Sequence, residues 1–362
     1  MKKVKLGDVC KIQSGGTPSR GNLNYWNNGN IPWVKISDIK EKYLSRTEEF
    51  ITQEGLANSS AKIFPKETIL YTIFATLGEV SILEIEATTN QAIAGLQIID
   101  ENICKDYLYY YLISLKPFVN EIGRGVAQNN INMQILRNFE IPLPSLEEQK
   151  AIARKLDKVS GLIEKRKTQL EKLSELVKSR FIEMFESGNY PVCRLGDVCS
   201  KITDGTHKTP NYLDAGVTFI SAKNIVNGEL DFSDVKYISD QEYAEIQKRC
   251  QTEMGDILLS KSGSLGAPVI VKTTERIGLF ESLAVIKYDR SKLLPAFLCE
   301  QLKSDRIQRQ FKVGTKGVAI KHLHLGVIAD TDIVVPPIED QNAFAAFVEQ
   351  TDKSKLAIQQ SL

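Results

Sequence analysis

The chain has 362 residues, 42% of them hydrophobic and 25% charged, with a formal net charge of +1. This is ordinary globular composition with room for two domains, and it excludes a disordered or low-complexity chain. Near-neutrality excludes a diffuse polycationic nucleic-acid binder, so any DNA contact must draw on locally clustered basic residues or on a basic partner.

In chain order, residues 4–18 (VKLGDVCKIQSGGTP) read as a short strand or turn followed by a Gly-Thr loop ending in Pro18. Residues 31–39 (IPWVKISDI) read as a buried strand running into a polar loop. An Ile-Leu to Leu-Gly segment occupies 69–78, KDYLYYYLIS at 105–114 is an amphipathic helix, and GVAQNNI at 125–131 is a polar loop. IPLPSLEEQ at 141–149 stops a strand at two prolines and opens a helix. Ser145 followed by Glu148 is a capping box.

Residues 145–187 contain no Pro and one Gly, Gly161. Apolar residues recur at Ile152, Leu156, Val159 and Ile163, then at Leu170, Leu173, Val177 and Phe181. Steps of three and four mark one helical face and approximate a heptad seam, broken once by Arg166. At ~1.5 Å per residue the helix spans roughly 60 Å. Its other face is densely charged, so it is not a membrane span. A rigid spacer is expected, because what precedes the helix recurs after it.

The recurrence is direct. Residues 193–210 (CRLGDVCSKITDGTHKTP), 217–225 (VTFISAKNI), 257–266, 295–304 (PAFLCEQLKS), 317–323 (GVAIKHL) and 333–341 (IVVPPIEDQ) repeat the six blocks in order. This is a tandem duplication of about 190 residues. A second, shorter helix starts near Ile338, with a weaker seam at Phe344, Phe347, Thr351 and Ile358. Each half mixes short strands, one or two helices and long polar loops, an α+β pattern. The expected organisation is a domain at 1–144, a long helix at 145–187, a second domain at 188–336 and a helix at 337–362. Two equivalent helices can satisfy their seams by pairing antiparallel, as a coiled coil that relates the domains by a pseudo-two-fold axis.

Catalytic constellations are missing from this pattern. The sequence has no phosphate-binding loop, no dinucleotide fingerprint, no nucleophile elbow and no His-Glu-x-x-His. The six cysteines, Cys10, Cys104, Cys193, Cys199, Cys250 and Cys299, form no C-x-x-C pair and suit neither zinc nor a disulfide framework. His322 and His324 are spaced like ligands on a strand but lack a third, and polar loop residues are the better reading. No metal site and no catalysis are expected. Without a signal peptide or a transmembrane run, the expected compartment is the cytoplasm.

Recognition is what the loops suit. The first Gly-Thr loop carries Thr17, Ser19, Arg20, Asn22, Asn24, Tyr25 and Trp26, and the second carries Thr206, His207, Lys208, Thr209, Asn211 and Tyr212. The loops after the buried strands add Lys35 and Ser37 in one half, and Ser221, Lys223 and Asn224 in the other. The Gly-Val-Ala loops add Arg124, Gln128, Asn129 and Asn130, and Lys316, Lys321 and His322. Asn, Gln, Arg and Lys read base edges in the major groove, while Lys, Ser and Thr hold phosphates. Matching loops are polar in both copies but differ in identity, which suits two sites reading two different half-sequences. A coiled-coil scaffold with duplicated protein-binding domains is the alternative.

With its Leu-Gly-Asp-Val openings at Leu6 and Leu195, its Gly-Thr-Pro loops and its two helix entries, the whole chain resembles the specificity subunit of Type I restriction–modification systems. The resemblance implies two target-recognition domains, each reading half of a split, asymmetric site in double-stranded DNA. The helices would set the gap between half-sites and dock two modification subunits. Those partners would carry the S-adenosylmethionine-dependent adenine methylation, and restriction subunits would add chemistry driven by ATP and Mg. No cofactor is expected in this chain.

Overall fold

The computed structural model describes residues 2–124, 130–186, 188, 190–315 and 322–361. The chain forms two compact units, Met1–Ile163 and Glu164–Leu362, built on the same plan.

In the first unit the Leu-Gly-Asp-Val turn buries Leu6 and Val9 and delivers the chain to the strand Cys10–Ser14. That strand edges a five-stranded sheet whose order continues through Ile93–Ile98, Ile69–Thr72, Val80–Leu83 and Tyr43–Leu44. The first four strands are antiparallel neighbours, and the short Tyr43–Leu44 joins parallel. Ile69–Thr72 is buried along its whole length, which fits a strand covered on both faces. Side chains alternate across a strand. Ile69 and Tyr71 therefore enter the core shared with the helix Lys105–Ser114, while Leu70 enters a second core under a small sheet. That sheet runs Glu49–Ile51, Ile31–Val34, Thr88–Thr89.

The second unit repeats the plan with four strands, Cys199–Asp204, Leu283–Tyr288, Ile257–Ser260 and Pro268–Ile270. The register is kept: Ile69 faces Leu96 in one sheet, and Ile257 faces Ile286 in the other. The core is divided in the same way. Ile257 and Leu259 face one cluster, and Leu258 faces the other beneath the sheet of Lys236–Ile238, Val217–Ile220 and Ile277–Leu279. The amphipathic helix falls at Pro295–Lys303, as its repeat implies.

The long helix runs Leu146–Phe181 and ends in a π-helical turn, Ile182–Glu186. Its capping box is formed: the Ser145 amide donates to the Glu148 carboxylate at 2.9 Å, and the Glu148 amide donates to Ser145 Oγ at 3.4 Å. The second helix is Ile338–Gln359.

Both helices are fastened to their domains by a buried glutamine. Gln149 accepts from the Cys104 amide at 2.8 Å and donates to the carbonyls of Asn102 (2.8 Å) and Pro144 (3.0 Å). Gln341 repeats the set, accepting from Leu294 at 2.8 Å and donating to Lys292 (2.8 Å) and Pro336 (2.9 Å). The first unit adds a second fastening. Lys42 Nζ lies 2.5 Å from Asp157 and 2.7 Å from Asp106, and Tyr110 donates to Asp157 at 2.7 Å. Burial works against both charges, yet the pairing outweighs it. Lys42 is held above the usual lysine range and Asp157 below the usual carboxylate range.

The predicted helix seam divides into two parts. Val177 and Phe181 are buried, and Leu170, Leu173, Phe347 and Ile358 are half-buried. Phe181 and Phe185 pack edge-on against Phe344, with centroids 5.6 and 5.5 Å apart, and Phe297 of the domain helix completes the cluster. Ile152, Leu156, Val159 and Ile163, expected in the seam, are exposed. The stripe turned to the first domain is instead Gln149, Ala153 and Asp157, one residue round the helix, because Gln149 and Lys42 set its rotation.

Candidate nucleic-acid interface

In each unit the Gly-Thr loop and the chain that returns at Ile131 or Leu323 meet at one end of the main sheet. The Gly-Thr loop leaves the edge strand there under a tight constraint. A Cβ on Gly15 would lie 2.3 Å from the Thr89 carbonyl oxygen, and one on Gly205 would lie 2.1 Å from that of Leu279. Only glycine lets the loop run this close to the neighbouring backbone. The end of the central strand receives the chain returning from the Gly-Val-Ala loop. The Ile131 amide donates to Ile73 at 3.0 Å, and the Leu323 amide to Lys261 at 2.9 Å.

The first end is an aromatic–cation stack. The Arg20 guanidinium lies 3.7 Å from the Trp26 ring centre and 4.6 Å from that of Trp33, and the two indoles meet edge-on at 5.0 Å. Trp26 Nε1 donates to the Ser19 carbonyl at 3.1 Å, and Trp33 Nε1 to that of Gly16 at 3.0 Å, so both rings are fixed to the loop. Arg20 pairs with Glu49 at 2.5 Å, and Lys35 pairs with Glu48 at 2.7 Å and Glu49 at 3.3 Å. Hydrogen bonds from Arg20, then Lys35, hold Glu49 below the usual carboxylate range, and Lys35 does the same for Glu48. Thr17 donates to Gln91, and the Asn24 amide donates to Asn22 Oδ1. Ser19, Asn24 and Ser37 are exposed, Tyr25 is half-buried, and Asn130 bridges to Phe74.

The second end is a charge cluster. Asp204 pairs with Lys261, Arg249 and His207, while Lys261 also faces Glu281 at 3.9 Å and His322 faces Glu281 at 3.6 Å. Burial raises the Asp204 carboxyl, but the Lys261 ammonium and the other cations outweigh it and hold the group below its usual value. Burial and the nearby Lys261 push His322 below the usual histidine value. A cavity of about 390 Å³ opens between the Gly-Thr loop and the helix Asp240–Arg249, lined by Thr206, His207, Lys208 and Arg249 among others. Lys208 is exposed on its wall, and Thr209, Asn211 and Tyr212 are exposed in the following loop, with the Asn211 amide held by Glu242 at 2.9 Å. Lys223 is exposed and pairs with Asp234 at 3.0 Å. Ser221 is half-buried.

Asn224 is turned inward. It is 4% exposed, donates to the carbonyls of Asp231 and Asp234, and accepts from the Ser221 amide. It shapes the turn, as Asp38 does for Lys35 in the first copy. Arg124 closes the helix Lys116–Arg124, and Gln128, Asn129, Lys316 and Lys321 lie outside the described residues. Sequence reasoning missed Asp204, Arg249, Lys261, Glu49 and Trp33. Lys261 alone had a visible signal, a lysine closing the apolar run ILLSK where the first copy has ILYTI.

Among the described residues, no three His, Cys, Asp or Glu side chains group as metal ligands, and no helix is long and apolar enough to cross a membrane.

The fold and the paired loop ends define a duplicated recognition protein, with two ends of different chemistry on one scaffold. A family model described as the Type I restriction modification DNA specificity domain matches twice, over residues 1–174 and 188–362, and the chain belongs to that family. The MjaIX specificity subunit of Methanocaldococcus jannaschii is 28% identical over 379 residues, covering 96% of this chain and 85% of that protein. The EcoR124I/EcoR124II specificity subunit of Escherichia coli is 31% identical over 165 residues, 43% of this chain and 40% of that one. Among solved structures, the Type-I restriction-modification S subunit of M. genitalium matches with a TM-score of 0.55 at 16% identity, over 99% of this chain and 91% of that one. A chain of the type I R-M system matches at 0.57 and 18%, over 99% and 92%. At such identities these structures speak for the fold.

Proposed function

We propose that the chain is the non-catalytic specificity subunit of a cytoplasmic Type I complex, each domain reading one half of a bipartite site in double-stranded DNA. The helices pair antiparallel, fix the gap between half-sites and dock two modification subunits. Those subunits bind S-adenosylmethionine and methylate adenine, and restriction subunits bring ATP- and Mg-dependent chemistry. The observation that carries this reading is the pair of loop ends: the same scaffold, position and glycine constraint with different polar side chains. The division of labour fits the electrostatics. Arg20 and Lys35 already pair with Glu48 and Glu49, so much of the phosphate neutralisation falls to partners.

The test is methylome sequencing of cells that carry the cognate modification subunit, with and without this chain. A bipartite adenine motif that appears only with the chain is the expected result. The same methylation in both strains would overturn the reading.

A further inference from the structure

Among the differences between the two recognition ends is a charge pair buried in the second. Ser14 faces Ala94 in the first sheet, and Asp204 faces Ala284 at the same register in the second. Ile73 follows the strand Ile69–Thr72, and Lys261 follows Ile257–Ser260 in the same way. Asp204 and Lys261 are each 2% exposed. Removing two charges from water costs about as much as their attraction returns, so such a pair is a poor stabiliser compared with apolar packing. The first copy shows that the scaffold accepts the neutral pair. Stability therefore does not account for Asp204 and Lys261.

Geometry gives the pair another task. Lys261 fixes a carboxylate beneath the Gly-Thr loop, and that carboxylate holds two surface groups. Asp204 Oδ1 accepts from Arg249 Nη2, and Oδ2 faces His207 Nε2 at 3.2 Å. The His207 and Arg249 side chains are 56% and 54% exposed and line the same cavity. An ionised carboxylate only accepts, so it places the hydrogen on Nε2 and leaves Nδ1 of neutral His207 as an acceptor. The guanidinium has five N–H donors and spends one on Asp204. An acceptor beside a cationic fork matches a base-edge amino group next to a phosphate or a guanine edge.

We propose that Asp204, locked by Lys261, is a positioning residue that sets His207 and Arg249 as the DNA-reading pair of the second domain, a device the first domain lacks. This rests on the reading of the loop ends as DNA-facing.

The experiment uses the full chain assembled with its modification subunits. Methylation is measured on duplexes in which one half-site or the other is randomised base by base. The variant D204S/K261I carries the first copy's identities and removes both buried charges together. Discrimination at the second half-site should fall about tenfold or more, with the set of accepted bases widened and the first half-site unchanged. H207A and R249A, surface changes that leave the core intact, should each relax the same half-site by a smaller factor. Full discrimination at the second half-site in D204S/K261I would overturn the proposal. So would full discrimination in both H207A and R249A, whether or not the double variant folds. Equal loss at both half-sites would also overturn it, because it would mark a general structural role. If the unaltered complex discriminates at neither half-site, the DNA-reading function itself fails, a result distinct from these.

Discussion

The two copies agree where they meet a helix and disagree where they end in loops. At the helix entry, Gln149 and Gln341 are both fully buried and make the same three hydrogen bonds to equivalent backbone groups. At the loop end, one copy rests a cation against two indoles and the other buries a carboxylate and an ammonium. A duplicated chain can let its ends diverge only if the divergence stays away from its joints. The helix attachment is common machinery, and the loop end is the variable part.

The largest effect should come from separating the parts. Exchanging residues 1–140 for the matching segment of a relative should replace one half-site completely and leave the other untouched, as read by methylome sequencing. Two altered half-sites would break the division between joint and loop.

Next in size is the joint. Q149A leaves the Cys104 amide and two carbonyls without their partner, and Q341A does the same in the second unit. Each should destabilise its unit by about 3 kcal/mol, since an unpaired buried polar group costs about 1–3 kcal/mol. Denaturant unfolding measures both, and a large inequality between them would show that the joints are not equivalent. G15A and G205A should each destabilise their unit by about 2 kcal/mol through overpacking against backbone, and each should weaken methylation through its own half-site alone.

Smaller effects separate the copies. Lys42 fastens the first domain to Asp157, whereas the matching loop position is Gly228 and the matching helix residue, Glu349, pairs with Lys353 on its own helix. K42A should cost about 0.5 kcal/mol in thermal unfolding, because Asp157 is largely solvated. Finally, Asp204 is held below its usual range in the folded state. Its contribution is present above the unfolded carboxyl value of about 3.9 and is lost as pH falls through the lower folded value. Acid unfolding of D204S/K261I should therefore be shallower below about pH 4 than that of the unaltered chain. An unchanged slope would mean that the pair is not linked to folding.

The duplication made much of this molecule readable from its residues. Each block constrained its twin, so the strands entering Ile31–Val34 and Val217–Ile220, the helices at Lys105–Ser114 and Pro295–Lys303, and the capped start of the long helix all stood out. Long-range polar pairing did not. Asp204 meets Lys261 across 57 residues and Lys42 meets Asp157 across 115, and no local period encodes such meetings. Gln149 sat inside a quoted motif, but its burial depends on a loop some 45 residues earlier. Asn224 shows the converse, a polar side chain consumed by its own turn. The exposed Ile152, Leu156, Val159 and Ile163 show that a heptad period identifies an apolar face without telling what covers it.

The unbroken helix Leu146–Phe181 has a further consequence, for which gaps its protein can measure. Each added residue advances the chain by ~1.5 Å and turns it by roughly 100°, whereas a base pair advances ~3.4 Å. Two extra residues come close to one base pair in length but turn the far end by roughly 200°. Seven residues return the apolar face to phase, with an advance of about 10 Å, close to three base pairs. On the proposed function, the available gaps are quantised, like the teeth of a ratchet. A heptad inserted after Lys167 should lengthen the unread gap by two or three base pairs and keep both half-sites, with weaker binding because the DNA must twist to follow. An insert of two residues should leave no gap that fits. A methylome with the original gap at full occupancy after the heptad insertion would show that the helix is not the gauge.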